Sequence, residues 1–362
     1  MTIYFFISLV FSGSALVLKS KSAIYFKNVT FLATITLIVL IVSLRYETGT
    51  DYYNYLGWFQ RLPSTGLHLS EELGFSLIII FFDYIGFPSQ SFFLLFAVMT
   101  VFFSALGFKN LTPNWQIVTL VFVVSALPTL MGGFRLLLAS SIGLFSIYYA
   151  IERRFIGYLF FVILALLFHR AAVLLLLIYP LLIVHRKIGT SYTASILLMA
   201  ALFILMVENH VYSFIAMLFQ FDILNLEYKL HNYVHNERYG STPISMTIIV
   251  KSVVLAIIFV ILRDRLILKI KYYDYFLIII FLGFIMQLFI TQTIFGAIAL
   301  RGAQFFMIVQ SILLVACISA MRSMVEKILF LFFVMIVTFG SMWTTMILRA
   351  ELYFPYKSII FN

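Results

Sequence analysis

Apolar runs of roughly 17 to 25 residues recur along this whole chain, and that is the length a helix needs to cross a hydrocarbon core. Helices satisfy their own backbone in lipid, so the expected fold is all-α, a polytopic helical bundle. A membrane β-barrel would alternate apolar and polar residues, and these runs do not. The 362 residues are 64% hydrophobic and only 10% charged, with mean hydropathy +1.10. A water-soluble domain carries about a quarter charged residues, so that class is excluded.

Charge sets the expected sidedness. The net charge is +10, yet basic residues cluster in short loops: Lys19/Lys21/Lys27, Lys109, Arg153/Arg154, Arg186/Lys187, Arg263/Arg265/Lys269/Lys271 and Arg322/Lys327. The positive-inside rule places these in the cytoplasm. The basic excess then reports orientation and gives no reason to expect a nucleic-acid partner. Parity requires an even number of crossings between them. Spans at 2–18, 28–44, 89–107, 116–131, 136–151, 155–168, 171–184, 190–207, 245–262, 274–291, 302–320 and 327–345 satisfy it. That is a single domain over 1–362, about twelve spanning helices with both termini outside. Segment 72–87 is short, carries Asp83 and is bounded by Gly74 and Gly86, so it reads as a re-entrant or interfacial outer helix. Residues 2–18 lack a basic leader and a cleavage pattern, and read as the first span.

Two outer segments, 45–73 and 208–244, are long enough to be more than turns, and the tail 346–362 also lies outside. The second carries Tyr228-Lys229-Leu230-His231-Asn232-Tyr233 and Arg238-Tyr239-Gly240. The lone Cys317 and six scattered histidines suggest no metal site, and no cofactor motif is present.

Arginine is disfavoured in short outer loops, yet Arg45, Arg135, Arg170 and Arg301 all fall at outer helix ends. The last three are expected to open helices running inward. A helix start offers free N–H groups, and a guanidinium adds a fork that grips phosphate. Converging, they would make an anion site; taken singly, each could be an interfacial anchor. Beside Arg45 lies Gly49-Thr50-Asp51-Tyr52-Tyr53-Asn54-Tyr55. Asp51 offers a carboxylate as base or orienting group. Tyr52, Tyr53, Tyr55 and Trp58 offer flat faces suited to sugar rings, or form an interfacial aromatic belt. His169, next to Arg170, has an ordinary pKa near neutrality and is the second candidate base, against a purely structural role. Lys251 lies inside a span, about 9 Å below its outer end at about 1.5 Å per residue.

An Arg closing a membrane helix, followed by G-T-D-Y and a second Tyr three residues on, resembles the EpsG family of Wzy-like polymerases of bacterial surface polysaccharides. The likeness continues in order through Phe134-Arg135-Leu136-Leu137-Leu138-Ala139, His169-Arg170-Ala171-Ala172, Arg301-Gly302-Ala303-Gln304 and Pro355-Tyr356. The resemblance implies a GT-C-like, metal-independent glycosyltransferase in the bacterial cytoplasmic (inner) membrane, with its active site on the outer, periplasmic face. Its donor and acceptor would be undecaprenyl-diphosphate-linked glycans, joined as O-antigen, capsule or exopolysaccharide. A flippase and a chain-length regulator are the implied partners. His169 and Asp51 would be catalytic; Arg45, Arg135, Arg170, Arg301, Tyr52, Tyr53 and Tyr356 would bind the diphosphate and sugars. The rival classes are an O-antigen ligase-like transferase, a lipid-linked oligosaccharide flippase or transporter, and an acyltransferase.

Overall fold

The computed structural model describes residues 1–19, 23–66, 72–218, 246–292 and 296–360, and among them the chain is helical with no strand. Among the described residues six stretches are long and apolar enough to cross a membrane: Ile24–Ser43, Ser89–Leu111, Phe134–Ile151, Arg170–Met206, Ile298–Ala320 and Met324–Ile347. Shorter apolar helices fill in between them. Most of the expected outer segment 208–244 lies outside the described residues.

Helices α1 (Thr2–Lys19) and α2 (Ile24–Ser43) lead into α3 (Tyr52–Thr65) and α4 (Leu73–Tyr84). At twelve residues α4 rises about 18 Å, too little to span about 30 Å of hydrocarbon. Helix α5 (Ser89–Leu111) follows. The stretch expected as one span at 116–131 is divided into α6 (Trp115–Ser125) and α7 (Leu127–Gly132). Pro128 explains the division: it has no N–H to continue the α6 ladder, and it is tolerated in the first turn of α7.

Helix α8 (Phe134–Ile151) lies at the centre, against α5, α9 (Phe155–Leu166), a 3₁₀ segment (Arg170–Leu177) and α10 (Ile178–Leu218). Small residues make that possible. Ala139, Ser140, Ser141 and Gly143 are buried on α8, and a side chain at Gly143 would press on Leu175 and Phe305. The Ser140 and Ser141 hydroxyls donate back to the Leu136 and Leu137 carbonyls at 2.8 and 2.9 Å, so neither is left unsatisfied in an apolar setting.

The sequence places a cytoplasmic turn at Arg186-Lys187, but helix runs through it from Ile178 to Leu218. Gly189 has φ +79°, which a right-handed helix cannot propagate, so the axis breaks there. A straight helix over Arg170–Met206 would rise about 55 Å, nearly twice the hydrocarbon thickness. Beyond lie α11 (Met246–Ile261), α12 (Arg263–Leu266), α13 (Tyr273–Leu288), α14 (Gly296–Met307), α15 (Gln310–Ala320), α16 (Met324–Ile347) and α17 (Ala350–Tyr353). The expected span 302–320 is thus two helices, α14 and α15.

Candidate active site at the arginine end of the bundle

The loop 44–51 is built around close backbone approach. Gly49 has φ +107°, and a Cβ there would collide with the Met131 carbonyl. A Cβ on Gly132 would collide with the Thr50 hydroxyl. Loop and α7–α8 joint therefore interlock at two glycines, each needed for room. Asp51 precedes α3 and Arg135 is the second residue of α8, so this joint sets one relative to the other.

The tail locks the same loop from the other side. Gly49 N–H donates to the Leu352 carbonyl at 2.8 Å, Tyr46 N–H to Lys357 at 2.9 Å, and Ile359 N–H to Leu44 at 3.0 Å. Lys357 pairs with Glu47 at 2.7 Å. The Tyr353 hydroxyl donates to the Pro128 carbonyl at 3.0 Å, and Tyr4 donates to the Tyr353 carbonyl at 3.1 Å.

Arg45 lies inside this clamp with 0% exposure. Its Nη1 donates to the Val42 carbonyl at 2.6 Å, closing its own helix, and its guanidinium sits 4.3 Å from the Phe93 ring centroid. Its Nε and Nη2 are buried without a hydrogen-bond partner. Burial lowers its pKa to about 10, against the opposing pull of Tyr55, Tyr52, Tyr356 and Tyr353. A headgroup anchor needs exposure, so Arg45 is not one. Nor can a diphosphate reach it while the tail is seated.

Arg135 is also caged, but near the surface. Its Nη1 pairs with Glu72 at 2.5 Å, and its guanidinium lies 4.2 Å from Trp58 and 4.8 Å from Phe75. Its Nε is buried and unpartnered. Glu72 reaches it because α4 starts tight against α9: Gly74 N–H donates to the Leu167 carbonyl at 2.8 Å, with no space for a Cβ. Tyr55 connects the two arginines. It stacks on Phe134 at 3.8 Å, and burial pushes its phenol up to about 12, with Arg135 opposing.

His169 caps the 3₁₀ segment. Its Nδ1 accepts the Ala171 N–H at 3.2 Å, which leaves the proton of the neutral ring on Nε2. Burial, then Arg135 and Arg301, push its pKa down to about 3. The ring therefore stays neutral at physiological pH and offers an N–H donor, with its acceptor nitrogen already engaged. That geometry suits a hydrogen-bond donor better than the expected base.

Both Arg135 and Arg301 thus act on one imidazole. Arg301 does not open its helix as expected; it lies in the second turn of α14. Its neighbour Gly302 lets that turn close on Leu174 of the 3₁₀ segment and on Met286 of α13. Arg170 is the first residue of the 3₁₀ segment, half-buried beside His169.

The tyrosines divide. Tyr52 is buried and stacks on Phe93 at 5.3 Å, so it has no face open to a sugar. The Tyr356 hydroxyl donates to the Ile41 carbonyl at 2.7 Å and helps enclose Arg45. Tyr53 is 63% exposed, and Trp58 is half-buried under Arg135. Asp51 is half-buried and accepts from Asn54 at 3.3 Å. Sequence reasoning missed Glu72, Tyr353 and Gly132. The Glu71-Glu72 doublet before an apolar helix was the available signal for the first; the other two become visible only from across the fold.

A model of the EpsG family matches residues 28–358, from within α2 to the end of the tail clamp. The chain belongs to the EpsG family. No curated protein and no solved structure matches it. This EpsG protein is therefore a membrane protein of polysaccharide biosynthesis.

Proposed function

We propose that this EpsG protein is a glycosyltransferase that polymerises undecaprenyl-diphosphate-linked repeat units on the outer face of the bacterial cytoplasmic membrane. One observation carries the reading. Arg135 and Arg301 both bear on the His169 ring at one end of an apolar bundle, and the Asp51 carboxylate precedes the helix that carries Tyr55 and Trp58 against Arg135.

The acceptor hydroxyl attacks the anomeric carbon of the donor. A new C–O bond forms as the bond from that carbon to the diphosphate breaks. The hydroxyl proton passes to a base, and Asp51 takes that role. Negative charge develops on the departing diphosphate, where preorganised donors lower the barrier most. Arg135 and Arg301 supply charge there, and His169 supplies its N–H. Glu72 holds the Arg135 fork in plane before substrate arrives. Arg45 acts at one remove: it positions the Asp51 loop and touches no substrate. Tyr53 and Trp58 lie nearest to where sugars would rest.

Purified protein incubated with a lipid-diphosphate oligosaccharide should give a ladder of products one repeat apart. A single transfer to a different acceptor, with no ladder, would indicate a ligase. Movement of intact lipid across a vesicle membrane without transfer would indicate a flippase.

A further inference from the structure

A guanidinium can grip a phosphate with two prongs along either of two edges: Nη1 with Nη2, or Nε with Nη2. In Arg135 the second edge is closed, because Nε is buried. The first is half taken, because Nη1 pairs with Oε2 of Glu72 at 2.5 Å. The rings of Trp58 and Phe75 stand 4.2 and 4.8 Å from the guanidinium carbon, and the buried Tyr55 phenol is hydrogen-bonded to the same group. Only 17% of the Arg135 side chain is exposed. A two-pronged grip on an anion therefore requires Glu72 to let go.

Of the groups around Arg135, Glu72 is the one placed to do so. It meets the guanidinium through one oxygen, whereas Asp274 holds Arg263 with two bonds, at 2.8 and 2.6 Å. Its side chain keeps 15% exposure, whereas Tyr55 is 1% exposed. Its backbone has no need to move, since the Gly74 N–H fixes the start of α4 on the Leu167 carbonyl at 2.8 Å. Glu72 is the residue just before α4, and its side chain makes no capping bond there. A carboxylate released from Arg135 stays beside the helix start, where the macrodipole favours negative charge.

We propose that Glu72 is a built-in competitor for Arg135. Its carboxylate stands where a phosphate oxygen would sit, yields that place when the donor diphosphate binds, and takes it back as the spent carrier leaves. This role rests on the proposed function and adds to it a means of release. Donor and spent carrier both hold the diphosphate, and the spent one has gained a charged oxygen where the sugar was. Transfer by itself therefore tightens the grip of Arg135. A carboxylate kept at the site opposes that grip, and Arg135 exchanges one acceptor for another with no covalent step.

The test measures binding of inorganic pyrophosphate by calorimetry, on the full chain in phosphatidylcholine nanodiscs. Pyrophosphate has neither sugar nor lipid, so the measurement is independent of polymerisation. Glu72→Gln should tighten binding by about tenfold, the size expected when one charge-assisted hydrogen bond no longer competes. Asp83→Asn removes an exposed carboxylate about 16 Å further along α4 and should leave the affinity unchanged. In an Arg135→Gln background the tightening by Glu72→Gln should vanish, since the group competed for is gone. Weaker binding in Glu72→Gln would mean that Glu72 only holds the fork, and would overturn the proposal. So would an equal tightening in the Arg135→Gln background, which would make Glu72 a diffuse repulsive charge. So would no measurable binding in wild type and Glu72→Gln alike. If Glu72→Gln does not fold, Glu72→Asp, which withdraws the carboxylate from Nη1 by one methylene, must tighten binding in its place. A product ladder with unchanged pyrophosphate affinity in Glu72→Gln removes the competitor and leaves the polymerase; tighter pyrophosphate binding without a ladder does the reverse.

Discussion

The two ends of the bundle use arginine in opposite ways. At the end distant from the tail, Arg263 makes a two-pronged ion pair with Asp274, at 2.8 and 2.6 Å. Arg186 donates to the Ala150 and Ile151 carbonyls at 2.8 and 2.9 Å, closing α8, although its Nε is left unpartnered. Lys271, Tyr272 and Glu152 form a third surface cluster there. These charges end helices and pair at the rim, which is what orientation and fold require. At the tail end, Arg45 is wholly enclosed with two nitrogens unpartnered, and Arg135 is held under Trp58 by a single carboxylate. Burying charge with donors left unpartnered costs stability, which the Phe93, Trp58 and Phe75 ring contacts offset only in part. The difference separates charge paired at the rim from charge enclosed behind the tail and the aromatic cage.

That contrast is broken most directly by exchanging activity losses. Arg135→Ala should lower polymerisation by about 10²–10³-fold, the size expected when one transition-state donor is removed. Arg135→Lys should recover little of it, because the planar fork is lost. Arg263→Ala should leave the rate near wild type. Comparable losses in both, measured as ladder formation per folded protein, would erase the distinction.

Next in size is the joint behind the site. Gly49→Ala forces an L-residue into φ +107° and against the Met131 carbonyl. A cost of about 1–3 kcal/mol is expected, read as a lower unfolding temperature in detergent. An unchanged temperature would show that the loop is not held as described.

His169 sharpens the comparison through pH. Its folded pKa, about 3, lies below its ordinary 6.5, so between those values the unfolded chain binds the extra proton. Stability should therefore rise with pH across that window and level off above about 6.5. His169→Gln should flatten this slope. Activity between pH 6 and 8 should carry no limb that disappears in His169→Gln. If one does, His169 is a base after all.

The smallest effect is expected at the tail rim. Lys357→Ala breaks an exposed pair with Glu47 and should cost about 0–1 kcal/mol. Tyr353→Phe, which strips the Pro128 carbonyl of its buried donor, should cost more, about 1–3 kcal/mol. Equal effects in thermal unfolding would mean the clamp is held by its surface alone.

Much of this was already legible in the chain. Apolar length and loop charge are local properties, so helix content and membrane residence needed no fold to be seen, and residues 45–55, 135, 169–170 and 301 could be singled out as candidates. Helix breaks inside apolar stretches were less legible. Pro128 and Gly189 act through backbone geometry that hydropathy does not register. Glu72 was missed because a carboxylate in a loop shows its meaning only when a partner from 63 residues away arrives.

Tertiary structure decided the roles. Arg45 and Arg135 share residue type and apparent depth, yet packing seals one behind a tail more than 300 residues distant and leaves the other partly exposed and paired with Glu72. Tyr52 and Tyr53 are neighbours with opposite fates, because successive helical residues point about 100° apart and only one meets Phe93. In His169 the Ala171 N–H occupies Nδ1, while burial first and two arginines second keep the ring neutral. Residue type and spacing determine which groups a chain can offer. Burial, hydrogen-bond partners and neighbouring charge determine which atom of each is available, and those depend on contacts between segments far apart in sequence.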